Sequence, residues 1–171
     1  MHLLKINFDE VYRRHLCRHS LFGNNLLHLV AVLGIYFALL GLASQALAMS
    51  AWSRHLALPG LLLAPYLLAL WFNVPSRTWS LTGVVMLGLL ALHHLTPPWP
   101  WWMNVLFIVL MHHFQQWSHR LYPEARDMSE FAGKYVKGPR LFLLLTMYEL
   151  PVLLHYFRRW FRTGASPTPG E

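Results

Sequence analysis

Cysteine is almost missing from this chain: Cys17 stands alone. A single thiol excludes a disulfide framework and any metal site built on several thiolates. Charge is scarce as well. Asp, Glu, Lys and Arg make up 12% of the 171 residues, against roughly a quarter in a soluble domain. So little polar surface cannot coat a globule of this size, and the apolar residues come in long blocks that suit lipid. Acidic residues are the scarcest of all, seven against fourteen basic ones. The net charge of +7 suits anionic head groups beside membrane helices. None of the usual nucleic-acid recognition motifs is present, so no nucleic-acid partner is expected. The first 22 residues hold no apolar core of the kind a leader needs, and no cleavable signal peptide is expected.

What is present is a set of apolar runs. They predict an all-α integral membrane protein, one domain over 1–162, with transmembrane helices at about 26–49, 56–72, 79–94 and 101–117. At about 1.5 Å per residue such runs approach or exceed a hydrocarbon core of about 30 Å. The breaks are polar or proline-rich: Ser50 to His55, Asn73-Val-Pro75-Ser-Arg77, and Pro97-Pro98-Trp99-Pro100. Pro59 and Pro65 predict a kink in the second span, and Trp99, Trp101 and Trp102 read as an interfacial belt. Four spans place thirteen of the fourteen Lys and Arg on one side, leaving only Arg54 opposite. The positive-inside rule makes that side cytoplasmic, with both termini on it, in a bacterial inner membrane or an endoplasmic reticulum membrane. A fifth apolar run, 141–157, would carry Arg158, Arg159 and Arg162 to the wrong side if it crossed. It is therefore expected to be a re-entrant or interfacial helix. The tail 163–171 is rich in Gly, Pro, Ser and Thr and is expected to be disordered.

Eleven histidines are the second anomaly, because imidazole in hydrocarbon needs a polar site, a partner or a metal. The topology sorts them. His93, His94 and His55 fall on the non-cytoplasmic side; His15, His19, His28, His112, His113 and His119 fall at the cytoplasmic level. Helical spacing puts His112, Gln115 or Gln116, and His119 on one stripe, and Asn24 one turn from His28. Neutral imidazoles are common ligands for iron, zinc and copper. Asn, Gln and carboxylate groups suit the role of fixing each ligand's tautomer. His15 and His112 join the candidate ligands by level. Glu149 lies in an apolar run, where a carboxylate is costly, and is a functional candidate for that reason.

Two segments resemble the small membrane-embedded 2-hydroxy fatty acid dioxygenases. They are His19-Ser-Leu-Phe-Gly-Asn24-Asn-Leu-Leu-His28, preceded by Tyr12 and Arg13, and Phe114-Gln115-Gln116-Trp117-Ser118-His119. Tyr148-Glu149 is similar to that family's closing segment. Ser118 stands where members usually carry Gly, and Tyr122-Pro123-Glu124-Ala-Arg126 echoes the stretch that follows. The resemblance implies iron(II) held by His19, His28 and His119, supported by Asn24 and Gln115. It also implies one-carbon oxidative shortening of a 2-hydroxy fatty acid, with dioxygen as co-substrate. On charge and level alone, Arg18 or Arg120 would hold the substrate carboxylate.

Three other readings of the residues stand beside this one. His15-Leu-Cys-Arg-His19 has the spacing of the first box of membrane di-iron hydroxylases, which also need His-x-x-His-His boxes that this chain lacks. A non-enzymatic scaffold, transporter-like module or pH-responsive protein would use histidine for its titration. A haem protein would pair histidines on facing spans, such as His28 and His112.

Overall fold

A computed structural model describes residues 6–48, 57–123 and 127–165. Among them lie seven helices and no strand: α1 (Phe8–Leu16), α2 (Phe22–Ala48), α3 (Ala57–Trp71), α4 (Ser76–Leu95), α5 (Trp101–Leu121), α6 (Ser129–Ala132) and α7 (Pro139–Thr163). The expected break at Ser50–His55 and the Glu124–Arg126 stretch lie outside the described residues. So does most of the expected disordered tail, 166–171.

Among the described residues, three stretches are long and apolar enough to cross a membrane: Phe22–Ala46, Ser76–Leu95 and Pro139–Thr163. The third contains the run expected to lie at the interface. It is one continuous helix of 25 residues, about 37 Å long. α3 has 15 residues, about 22 Å, and falls short of a full hydrocarbon core. α5 has 21, but its polar last turn dilutes its hydropathy.

The mixed, basic amino-terminal segment hides an amphipathic helix. Asn7 caps α1, its side chain accepting from the Glu10 N–H, with Asp9 and Glu10 in the first turn and Arg13, Arg14 and His15 in the last. Both placements complement the helix dipole. Phe8, Val11, Tyr12, His15 and Leu16 form the buried stripe. It packs with Tyr148, Val152, Tyr156 and Phe157 of α7 and with Phe131 and Tyr135 of the segment around α6.

α2 and α5 form the most extensive pairing, antiparallel and close. Gly23, Gly34 and Gly41 of α2 face Tyr122, the C-cap of α5, and Met111 and Asn104 within α5. Steps of eleven and seven residues along α2 are matched by steps of eleven and seven back along α5. This fixed register sets His28 against the last turns of α5.

Pro151 interrupts α7, so the Met147 carbonyl loses its helical N–H partner. Tyr66 of α3 donates its hydroxyl to that carbonyl at 3.2 Å, and Tyr36 of α2 donates to the neighbouring Thr146 carbonyl. Neighbouring helices thus satisfy the freed backbone, as an apolar setting requires. α7 is held there by two elements, α2 and α3, with Glu149 between these tyrosines and the α1 end.

Candidate metal centre

Three histidines from distant parts of the chain meet where the start of α2 lies against the end of α5. His19 sits in the turn between α1 and α2. Its N–H and that of Arg18 both donate to the His15 carbonyl at 2.9 Å. The Asn25 amide donates to the His19 carbonyl at 2.6 Å and to Leu21 at 3.0 Å, tying the turn to the first turn of α2. His28 is one turn further on, and His119 is in the last turn of α5. Ring centroids are 4.2 Å apart for His19 and His28, 4.8 Å for His19 and His119, and 4.9 Å for His28 and His119. One ligand atom from each lies within 4.8 Å of the other two.

The ring nitrogens are assigned by their partners. His19 Nδ1 is 3.3 Å from the His15 carbonyl oxygen, an obligate acceptor, so Nδ1 carries the proton. His28 Nδ1 is 3.3 Å from Glu149 Oε1. The carboxylate accepts its N–H in the same way, and the Gln115 amide donates to the same oxygen. The Gln115 nitrogen, itself only a donor, also lies 3.0 Å from His28 Nδ1; with the carboxylate the stronger acceptor for both groups, that contact is not a further hydrogen bond. Both rings are then left with a lone pair on Nε2. Those two Nε2 atoms are buried and have no hydrogen-bond partner. Leaving each so costs about 1–3 kcal/mol, and packing gives no reason for two of them to share one small space with His119. The set fits a transition-metal ion. Neutral imidazoles, each oriented by a carbonyl or carboxylate on its other nitrogen, are the usual arrangement around one.

Burial keeps His15 and His19 uncharged. It pushes the His15 imidazole down to about 3, against the opposing bond from Asn25, and holds His19 well below its ordinary value. Neutral rings are the form that binds a cation.

The remaining candidates separate into two groups. Asn24, fully buried, donates to the Arg18 carbonyl at 3.3 Å and accepts from Ser118 Oγ at 2.9 Å. It therefore moors Arg18 to the residue just before His119. His15 stacks on His19 at 4.3 Å, but its Nε2 is engaged with Asn25 Oδ1 at 2.8 Å, and it lies outside the group of three whose ligand atoms converge. Arg18 is exposed at the rim. His112 is not brought to the cluster; it is exposed and lies beside His113. Arg120 is exposed as well. His155 is a satisfied core histidine, 2.8 Å from Thr78 Oγ1 and edge-on to Phe8 and Tyr12. Sequence reasoning passed over two residues here, Asn25, which ties the turn, and Arg14, which is buried on α1. Asn25 is indistinguishable from Asn24 by type and spacing, and Arg14 reads as ordinary surface charge.

A cavity of about 260 Å³ opens at the far end of the bundle, lined by Phe37, Ser44, Gln45, His93, Trp99 and Asn104 among others. It lies away from the triad. No protein-family model, curated protein or solved structure matches the chain.

Proposed function

We propose that the chain is a membrane-bound iron(II)-dependent oxygenase acting on 2-hydroxy fatty acids or a related lipid. The observation that carries this reading is the pair of buried, unpartnered Nε2 atoms on His19 and His28, converging with His119. The resemblance of the two histidine boxes selects iron and the substrate. Bound iron would supply the means of activating dioxygen next to an oxidisable head-group carbon.

The chain's own residues divide the remaining work. Glu149 holds the Nδ1 proton of His28, and Gln115 holds Glu149. Asn24 fixes the rim backbone at Arg18, whose guanidinium is placed to attract a carboxylate. Tyr36 and Tyr66 steady α7 at Pro151, two residues from Glu149. An amphiphilic substrate would keep its tail in lipid and its head at this level.

The same reading makes α2 to α5 the four spans and α7 a re-entrant or interfacial helix. Support comes from where α7 bonds: Ser20, His28 and Tyr36 of the α1–α2 region, Tyr66 of α3, Thr78 of α4 and Gln115 of α5. All of these belong to the half of the bundle that holds α1. Both termini then lie on the cytoplasmic face, where Lys and Arg concentrate.

The test is metal content of the detergent-purified chain, native and His28→Ala/His119→Ala, followed by assay with 2-hydroxy fatty acids. About one iron in the native chain and none in the variant, with acids shortened by one carbon, is expected. No metal after anaerobic reconstitution with ferrous iron would overturn the reading.

A further inference from the structure

Arg14 is an anomaly on α1. It is 8% exposed, and its Nε is buried with no hydrogen-bond partner. A buried guanidinium is costly unless a countercharge accompanies it. The described acids are all placed elsewhere. Glu10, one turn before Arg14, accepts from the Tyr135 hydroxyl and is held by Lys134 at 2.5 Å, and Glu130 is held by Arg13 at 3.3 Å. Asp127 accepts from its neighbour Ser129, Glu149 serves His28, and Asp9 lies well around the helix from Arg14. What Arg14 does have is the Tyr135 ring, 5.2 Å away, which orders the guanidinium without neutralising it.

Arg18 follows one turn later. Its backbone is moored through Asn24 to Ser118, next to His119. Burial first, and the Arg18 charge after it, hold the Arg14 guanidinium below its ordinary value. Tyr135, Arg14, Arg18 and His119 thus form a line from the α6 segment to the triad.

We propose that Arg14 and Arg18 together bind the acidic head group of a long-chain amphiphile, Arg14 as the fixed buried half of the pair and Arg18 as the exposed half. The inference rests on the oxygenase reading for placing that head group beside the metal. It adds the residue that makes the site selective for an acid over a neutral lipid. A guanidinium pair suits a carboxylate, which accepts two parallel N–H bonds.

The test uses the full chain in detergent, with hexadecanoic acid, hexadecan-1-ol and acetate as probes, in the native protein, Arg14→Gln and Arg14→Lys. The native chain binds the acid roughly 10- to 100-fold more tightly than the alcohol, the range expected for charge-assisted hydrogen bonds. Arg14→Gln loses most of that preference and Arg14→Lys recovers part of it. Without ligand, Arg14→Gln melts no lower than the native chain, because it removes an uncompensated buried charge. A purely structural Arg14 would instead cost stability and leave the preference intact. Equal binding of acid and alcohol by the native chain would overturn the proposal, and so would an unchanged preference in Arg14→Gln. Acetate binding as tightly as the long acid would overturn the assignment to an amphiphile. Iron content, measured on the same samples, separates the two claims. Acid preference in a chain that takes no iron would sink the oxygenase reading alone, and iron without acid preference would sink this inference alone.

Discussion

At the far end of the bundle His93 Nε2 lies 3.1 Å from Ser44 Oγ, whereas at the α1 end the Nε2 atoms of His19 and His28 are buried and unpartnered. The far end also has a cavity of about 260 Å³, and a buried Asn104 packed against Gly41. By volume alone it would be taken for the functional site. By hydrogen-bond accounting it is close to complete, since Gln45 donates to the Trp99 carbonyl and Ser44 engages His93. Native proteins leave few buried polar atoms unpaired, so an unpaired ring nitrogen says more about binding than the presence of histidine or the size of a void.

The sharpest way to break this comparison is to remove one imidazole from each end. His28→Ala is expected to abolish iron binding, from about one metal per chain to none, with helicity by circular dichroism unchanged. His93→Ala is expected to leave metal content untouched. Iron lost from His93→Ala and retained by His28→Ala would reverse the assignment of the two ends.

Glu149→Gln should come next in size. The amide keeps the shape but accepts the His28 Nδ1 proton less strongly, and outer partners of this kind typically change metal affinity by roughly 10- to 100-fold. Competition with a chelator measures the loss. An unchanged affinity would mean that Glu149 fills space and does not orient the ligand.

The contrast between the ends also shows what one sequence can carry. Spacing and level gathered six histidines at one membrane level, because helical periodicity and the positive-inside rule are local or cumulative signals; only the resemblance to the dioxygenase boxes picked His19, His28 and His119 from among them. The partner of His28 was not legible: Glu149 was singled out for its cost in an apolar run, but nothing local ties it to a residue 121 positions away. His112 illustrates the opposite failure. The buried polar residues of α5 are Asn104, Gln115 and Ser118, and His112 lies one position, about 100°, off the stripe they define. α1 was legible in principle from Asn7 and the stripe of Phe8, Val11, Tyr12, His15 and Leu16, but nine residues give little periodicity against so mixed a composition.

A smaller effect sharpens the comparison at the seam that joins the ends. A Cβ on Gly41 would come within 2.5 Å of Asn104 Oδ1, so Gly41→Ala should cost roughly 1–3 kcal/mol by overpacking. It should lower the melting temperature without altering iron content. If iron were lost as well, the α2–α5 register and the triad would be a single mechanical unit, and the two ends could not be treated separately.

The smallest effects belong to the ion pairs that cross from α1 to the α6 segment. Arg13–Glu130 spans 3.3 Å with side chains 47% and 63% exposed, and exposed pairs of this kind contribute about 0–1 kcal/mol. Phe131 is 3% exposed in the core under the same segment, where truncation to Ala costs about 3–5 kcal/mol. Apolar burial, not charge, should therefore hold the segment over Arg14. Arg13→Ala is expected to leave the melting temperature and the acid-over-alcohol preference nearly unchanged, and Phe131→Ala to lower both, since it frees the segment that carries Tyr135. Similar losses from the two variants would show that the surface charges clasp the segment, and Arg14 would then owe its burial to a contact that salt can screen.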